Sequence, residues 1–162
     1  MTEPRPPPPR VRIDPAAMEA VLVAHKAAVG GHAEPCGLLL GGVSTGIVRV
    51  QEVRPLANVH PTPDRAFLLP APGAVAAARE ARERGLAIVG VWHGHLRGPA
   101  SLSEADAAGL RSATRGPGAD AKPSEVPYVF LVSGGGAGST LVVRAFLMHD
   151  ARPREVDLAS HW

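Results

Sequence analysis

Cysteine, charge of one sign and long apolar runs are all scarce in this sequence. A single cysteine among 162 residues excludes a disulfide framework and fits a reducing compartment. Seventeen Lys and Arg stand against 15 Asp and Glu, a formal charge of +2 with both signs scattered, so no basic stripe marks the chain for nucleic acid. Nowhere do 18 apolar residues run uninterrupted, and residues 1–10 lack the apolar centre of a signal peptide. The expectation is a soluble, cytoplasmic protein that touches neither membrane nor nucleic acid. Length excludes as well, since a (β/α)₈ barrel needs about 200 residues at the least. What is present is one domain's worth of chain with 45% hydrophobic residues and no internal repeat.

The punctuation divides the chain into a Pro-rich leader (1–12), a domain (13–149) and a polar tail (150–162). The leader, with five of its first ten residues proline, is expected to be extended and unstructured. Asp14 is placed to cap a helix that opens at Pro15, carries Met18, Val21, Leu22, His25 and Val29 at helical spacing, and ends at Gly30-Gly31. Glu34-Pro35-Cys36-Gly37-Leu38-Leu39-Leu40 leads into a buried strand, with a turn expected over Gly41–Thr45 and a second strand from Gly46 to Val53. A short strand near Ala66–Leu69 and a helix over Pro72–Arg84, closed by Gly85, come next. Leu86–His93 reads as a central strand apolar on both faces, and Ser103–Arg111 as a helix. After a loop over 112–125, Pro127–Val132 and Ser139–Leu147 form the expected closing hairpin.

Chemistry concentrates between Trp92 and Asp106. Along a strand, residues i and i+2 share a face, so His93 and His95 can offer two imidazoles to one ion. Asp106 can supply a third ligand if the chain bends at Gly98-Pro99 and starts a helix at Ser103. Two histidines and a carboxylate with a fourth position for water is the donor set of a catalytic zinc site. Each piece has a plainer explanation. A His-x-His pair arises by chance about 0.3 times in a chain with 7 histidines, and Ser103-x-x-Asp106 is also a helix-capping pattern. Glu34 can equally be an acidic residue ahead of a strand. Its following proline extends the backbone there, which suits a base reaching toward a metal site. Cys36 invites a nucleophile reading, but it lies in an apolar run with no neighbouring cation in sequence to lower its pKa. The remaining histidines, His25, His32, His60, His149 and His161, lack ligand spacing and read as surface or internally satisfied groups.

Joint spacing decides. Glu34 just before a Gly-Leu-Leu-Leu-Gly strand, then His93-x-His95, seven residues, Ser103, two residues and Asp106, resembles the signature of the JAMM (MPN-plus) metalloprotease family in its prokaryotic single-domain form. The likeness runs over about residues 11–147 and includes Asn58, Phe67 and the Gly85–His93 run. It implies an α/β, cytidine-deaminase-like fold with a mixed central sheet flanked by helices. It further implies one Zn²⁺ per chain on His93, His95 and Asp106, Glu34 as general acid/base, and Ser103 as donor to the oxyanion. The implied activity is a deubiquitinase-like isopeptidase or peptidase cutting after the C-terminal Gly-Gly of a ubiquitin-like modifier or sulfur-carrier protein, with homodimerisation allowed. Two positions depart from the family pattern: Gly94 stands where Ser or Thr is usual, and Leu96 where Pro is usual. Gly94 is expected to loosen the strand end and slow the reaction.

Other readings fare less well. A metallo-β-lactamase pattern wants Asp two residues after the second histidine, and Arg97 is there; no His-Glu-x-x-His helix exists. A non-catalytic, zinc-containing scaffold or binding module for a ubiquitin-like partner is the alternative within the family. The presence of all five motif residues argues against it.

Overall fold

The computed structural model describes residues 10–113, 128–135, 140–149 and 152–160. In chain order these form β1 (Arg10–Ile13), α1 (Pro15–Ala28), β2 (Cys36–Ser44), β3 (Ile47–Leu56), α2 (Ala71–Glu83), β4 (Ala87–Gly94), α3 (Glu104–Ala113), β5 (Val129–Gly135), β6 (Leu141–His149), β7 (Arg152–Val156) and β8 (Leu158–Ala159). All eight strands join one mixed sheet in the order β7-β6-β5-β4-β2-β3-β1-β8. β4 and β5 run parallel, as do β1 and β3, while β2 is antiparallel to both its neighbours. The expected α/β architecture, a mixed sheet flanked by helices, is what the chain adopts.

Both faces of the sheet are buried, for the reason legible in the central strands. Alternate residues of β5 serve opposite layers: Val129 and Leu131 pack with Val21 of α1, whereas Phe130 and Val132 pack with Ala77 and Ala81 of α2. In β4 a bulge interrupts that alternation. Leu39 of β2 faces Gly90 and Leu40 faces Ile88, so Val89 is the extra residue. One inserted residue reverses the facing of everything beyond it. Val91 therefore joins the α2 layer while Trp92 joins the α1 layer.

Several boundaries differ from the expectations, each for a physical reason. Residues 10–12 of the expected leader belong to β1, which hydrogen-bonds alongside β3; residues 1–9 lie outside the described set. The turn expected at Gly41–Thr45 sits instead at Thr45-Gly46, both at positive φ, the backbone of a two-residue hairpin turn. β2 continues through Gly41-Gly42 because a glycine tolerates the closeness of the β3 backbone there. Ala66–Leu69 forms no strand; its backbone bonds are local, Ala66 N donating to Thr62 O at 3.2 Å and Val59 N to Leu68 O at 2.9 Å. Asp14 precedes α1 without a side-chain cap, since its carboxylate accepts instead from Arg49 Nε at 3.0 Å. Ser112 and Ala113 are helical rather than loop, and residues 114–127 lie outside the described set.

The segment expected to be a polar tail completes the sheet. β7 pairs with β6 and β8 with β1, yet only Asp157 separates them. The sheet thus curls until its first and last strands flank one chain segment, and both edges gain a hydrogen-bonding partner. Among the described residues no helix is long and apolar enough to cross a membrane.

Gly90 sits where β4 and β5 approach most tightly, and a Cβ there would overlap the Val129 carbonyl. Gly90→Ala is therefore expected to lower unfolding stability by about 1–3 kcal/mol, read as a fall in urea midpoint at unchanged slope.

Candidate metal centre and active site

The end of β4 carries both histidines of the motif. Because of the bulge, His93 follows Val91 onto the α2 side, where its ring stacks on Phe67 with centroids 4.5 Å apart and planes 15° from parallel. His93 is fully buried and His95 partly so. The chain then bends through Gly98, at φ 134°, and returns as α3.

The first turn of α3 brings in the carboxylate. Ser103 and Asp106 form the reciprocal cap that their spacing announces: Ser103 N donates to Asp106 Oδ2 at 3.0 Å and Asp106 N donates to Ser103 Oγ at 3.1 Å. The cap and the proposed ligand are the same residue, so the plainer explanation and the functional one hold together. Anchored in this way, Asp106 places Oδ1 3.1 Å from His93 Nε2 and Oδ2 3.2 Å from His95 Nε2, while the two Nε2 atoms are 3.1 Å apart.

These separations can be compared with the demands of an ion. Ligand atoms about 2.0–2.1 Å from a tetrahedral zinc lie about 3.3–3.4 Å from one another, close to the three distances found. Tautomers agree for one ring. His95 Nδ1 lies 2.9 Å from the Pro99 carbonyl, which can only accept, so in the neutral imidazole Nε2 presents a lone pair to the cluster. His93 Nδ1 is buried without a hydrogen-bond partner among the described residues, which leaves its orientation to the Phe67 stack and the fit of the core. The donor set fits a divalent cation of zinc's size and preference.

Glu34 comes from the approach to the neighbouring strand, two residues before β2 begins. Cys36 of β2 is paired with His93, and Gly94 N donates to Pro35 O at 2.9 Å, so the residue two before Cys36 meets the residue two beyond His93. Glu34 is buried and forms with His93 and His95 a group whose ligating atoms all lie within 4.8 Å of one another. Its backbone is fixed from the other side by Glu34 N donating to Pro63 O at 2.7 Å.

The electrostatics follow from crowding acids and imidazoles in a poorly solvated place. Burial raises the Glu34 carboxyl to about 7, with His95 opposing and Asp106 and Asp64 assisting. Burial also disfavours the charged form of Asp106, but hydrogen bonds with His93 and His95 outweigh it and hold that carboxyl far below its ordinary range. Burial lowers His93, whereas the hydrogen bond with Asp106 raises His95. Two carboxyls in one site are driven in opposite directions, which is how acid/base work is divided between like groups.

Two supporting features carry no ligand spacing. Asn58 gathers the 57–69 loop: Nδ2 donates toward Glu34 O, Pro63 O and Ala66 O at 3.1, 3.2 and 3.0 Å, and Oδ1 accepts from His60 N and Leu68 N, each at 3.1 Å. It ties the Glu34 backbone to the segment bearing Phe67. The second is Gly94, which was expected to loosen the strand end and does the opposite. A Cβ there would lie 2.5 Å from His25 Nδ1, 2.8 Å from Pro35 Cγ and 2.8 Å from Ser133 Oγ, so the missing side chain permits tight packing. Leu96, the other departure, is half-buried beside His95, and nothing in the structure explains it. Cys36 is buried, its thiol 3.5 Å from the Leu56 carbonyl and raised to about 11 by burial and by Glu34.

A mixed α/β domain that gathers two histidines and two carboxylates at the end of its central strand, with a capped helix supplying one of them, is the class that fold and site define. Residues 15–146 match the family described as prokaryotic homologs of the JAB domain, and the chain belongs to that family. The resemblance drawn from the motif is thereby borne out. A probable TtuB-protein conjugate cleaving protease from Thermus thermophilus is 35% identical over 112 residues, 68% of this chain and 62% of the relative's length. The solution structure of a protein from Desulfitobacterium hafniense superposes with a TM-score of 0.70 at 22% identity, covering 93% of this chain and 94% of the other. One from Salinibacter ruber gives 0.61 at 26% identity, covering 93% and 91%.

Asn58→Ala should leave several of its five backbone partners unsatisfied, costing about 1–3 kcal/mol for each buried one, and should speed amide exchange across residues 57–69 relative to the sheet. At pH 8, Cys36 should resist a disulfide reagent in the native protein and react only at the rate of global unfolding; labelling within seconds under native conditions would contradict its burial.

Proposed function

We propose that this protein is a zinc-dependent isopeptidase or peptidase that hydrolyses the bond after the C-terminal Gly-Gly of a ubiquitin-like modifier or sulfur-carrier protein. The observation that carries the reading is the convergence of His93 Nε2, His95 Nε2 and the Asp106 carboxylate at 3.1–3.2 Å, with the Glu34 carboxylate within 4.8 Å of both imidazole donors. The name of the Thermus relative, a protease cleaving TtuB-protein conjugates, supports a protein conjugate as substrate. Glycine at the cleavage point is physically apt, because a chain without side chains can lie extended in a narrow groove.

His93, His95 and Asp106 would hold one zinc ion per chain, a catalytic rather than structural arrangement because three protein ligands leave a position for water. When bound, zinc lowers the pKa of water from 15.7 to about 7 and polarises a carbonyl. The other work falls to the chain itself. Glu34, raised to about 7 by burial, can take a proton from the attacking water and return it to the departing amine near neutral pH. The Ser103 hydroxyl accepts from Asp106 N and keeps its own proton, which it can donate to the carbonyl oxygen as charge develops there.

Metal analysis and cleavage of a ubiquitin-like fusion, compared across three proteins, test this. The wild type should hold about one zinc and cleave after Gly-Gly. Glu34→Gln should keep the metal and lose about 100-fold or more in kcat, and His93→Ala should lose metal and activity together. A Glu34→Gln protein that cleaves as fast as the wild type would refute the mechanism. Zinc bound by a wild type that cleaves no such fusion would favour a binding or scaffold module.

A further inference from the structure

Behind the candidate site, on the α1 side of the sheet, lies a buried polar cluster that the chemistry above does not use. His25 is 4% exposed, on the face of α1 that also buries Ala17 and Val21. Its Nδ1 is 2.7 Å from Ser133 Oγ, and the same oxygen accepts from Trp92 Nε1 at 2.9 Å. A polar network sealed into an otherwise apolar layer is costly unless its members are satisfied, and here the hydroxyl serves an indole and an imidazole at once.

The cluster touches the site at one point. Gly94, the residue between the two histidines, is paired with Ser133, and the space its Cβ would occupy is filled by His25 Nδ1, Pro35 Cγ and Ser133 Oγ. Two backbone bonds leave this point. His95 N donates to Ser133 O at 2.7 Å, and Gly94 N donates to Pro35 O at 2.9 Å. The first fixes the backbone of a proposed metal ligand, and the second fixes the residue next to Glu34.

We propose that His25 is a positioning residue: held by Ser133 and seated in the hollow over Gly94, its imidazole sets the distance between the strand end bearing His95 and the strand start bearing Glu34. This rests on His93, His95 and Asp106 being metal ligands. His25 touches neither metal nor substrate and acts through Ser133, Gly94 and Pro35. Gly94 and His25 are then one device, the absent side chain of one making room for the ring of the other.

The test measures zinc affinity by chelator competition, under conditions where each metal-free protein is folded, alongside urea unfolding. Val21→Ala, a core truncation one turn away on the same helix, is the control and should lose stability while binding zinc within twofold of wild type. His25→Ala should bind zinc at least tenfold more weakly, and His25→Asn, which can return a polar atom to the Nδ1 position, should recover most of that loss. Gly94→Ala should weaken zinc binding at least tenfold in the wild type and by less than half that factor when added to His25→Ala, because the closest of its three contacts is gone while those with Pro35 and Ser133 remain. If His25→Ala does not fold, Ser133→Ala, which keeps the ring and removes its anchor, is held to the same tenfold threshold. Zinc affinity in the His25 or Ser133 variants within twofold of wild type, or equal Gly94→Ala penalties in both backgrounds, would overturn the positioning role while leaving the proposed function standing. A wild type that binds no zinc would overturn both.

Discussion

The antiparallel pairing of β2 with β4 is the constraint on which the rest of the structure depends. It places Cys36 opposite His93 and so brings Glu34 beside His95, although Glu34 and His93 are 59 positions apart in sequence. The same pairing carries the Leu39/Leu40 irregularity that decides which layer each residue of β4 enters. A slip of one residue would turn His93 and His95 toward α1 and Trp92 toward α2. Tight contact on the other side of β4 holds that strand in place, where Gly90 presents no side chain against the Val129 carbonyl of β5.

Once the register is set, the two faces of β4 do different work. The α2 face takes His93 against Phe67 and Phe130, a dry wall that leaves the imidazoles few partners besides Asp106, Glu34 and each other. The α1 face takes Trp92, Ser133 and His25, polar groups satisfied among themselves. On the first face the charged form of Glu34 is costly, as its burial-driven upward shift records, and His93 Nδ1 is buried with no hydrogen-bond partner among the described residues, while Asp106 is held charged by its hydrogen bonds with His93 and His95. Such a cluster is what functional sites retain at the expense of stability. The curled sheet, closed by β7 and β8 on a single chain segment, supplies the rigidity that holds it.

Some features were plain in the sequence because their cause is local. The α1 face was legible in the spacing of Val21 and His25, the apolar double-sidedness of Leu86–His93 in its composition, and the Ser103/Asp106 cap in a three-residue interval. Others were hidden because their cause is distant. Asp14 matched a capping residue by type, but Arg49 from β3 competes for its carboxylate. The last segment, polar and short, gave no strand pattern of its own and becomes strand only because two unpaired edges await it. Gly94 looked like a weakness because the residue that fills its space, His25, is 69 positions away.

By itself, then, the sequence determined the chemical identity of the donors, their order and the local geometry of His93-x-His95 and of Ser103-x-x-Asp106, since strand pleat and helix capping depend only on neighbours. It also carried the family, through five residues in register. Tertiary structure alone decided which face of β4 the histidines occupy, that Glu34 reaches them from the start of the adjacent β2, and that His25 rather than solvent lies behind Gly94. Those outcomes depend on bulges, strand register and close backbone contacts, which are set by packing between segments far apart in the chain and leave no period in the sequence to read.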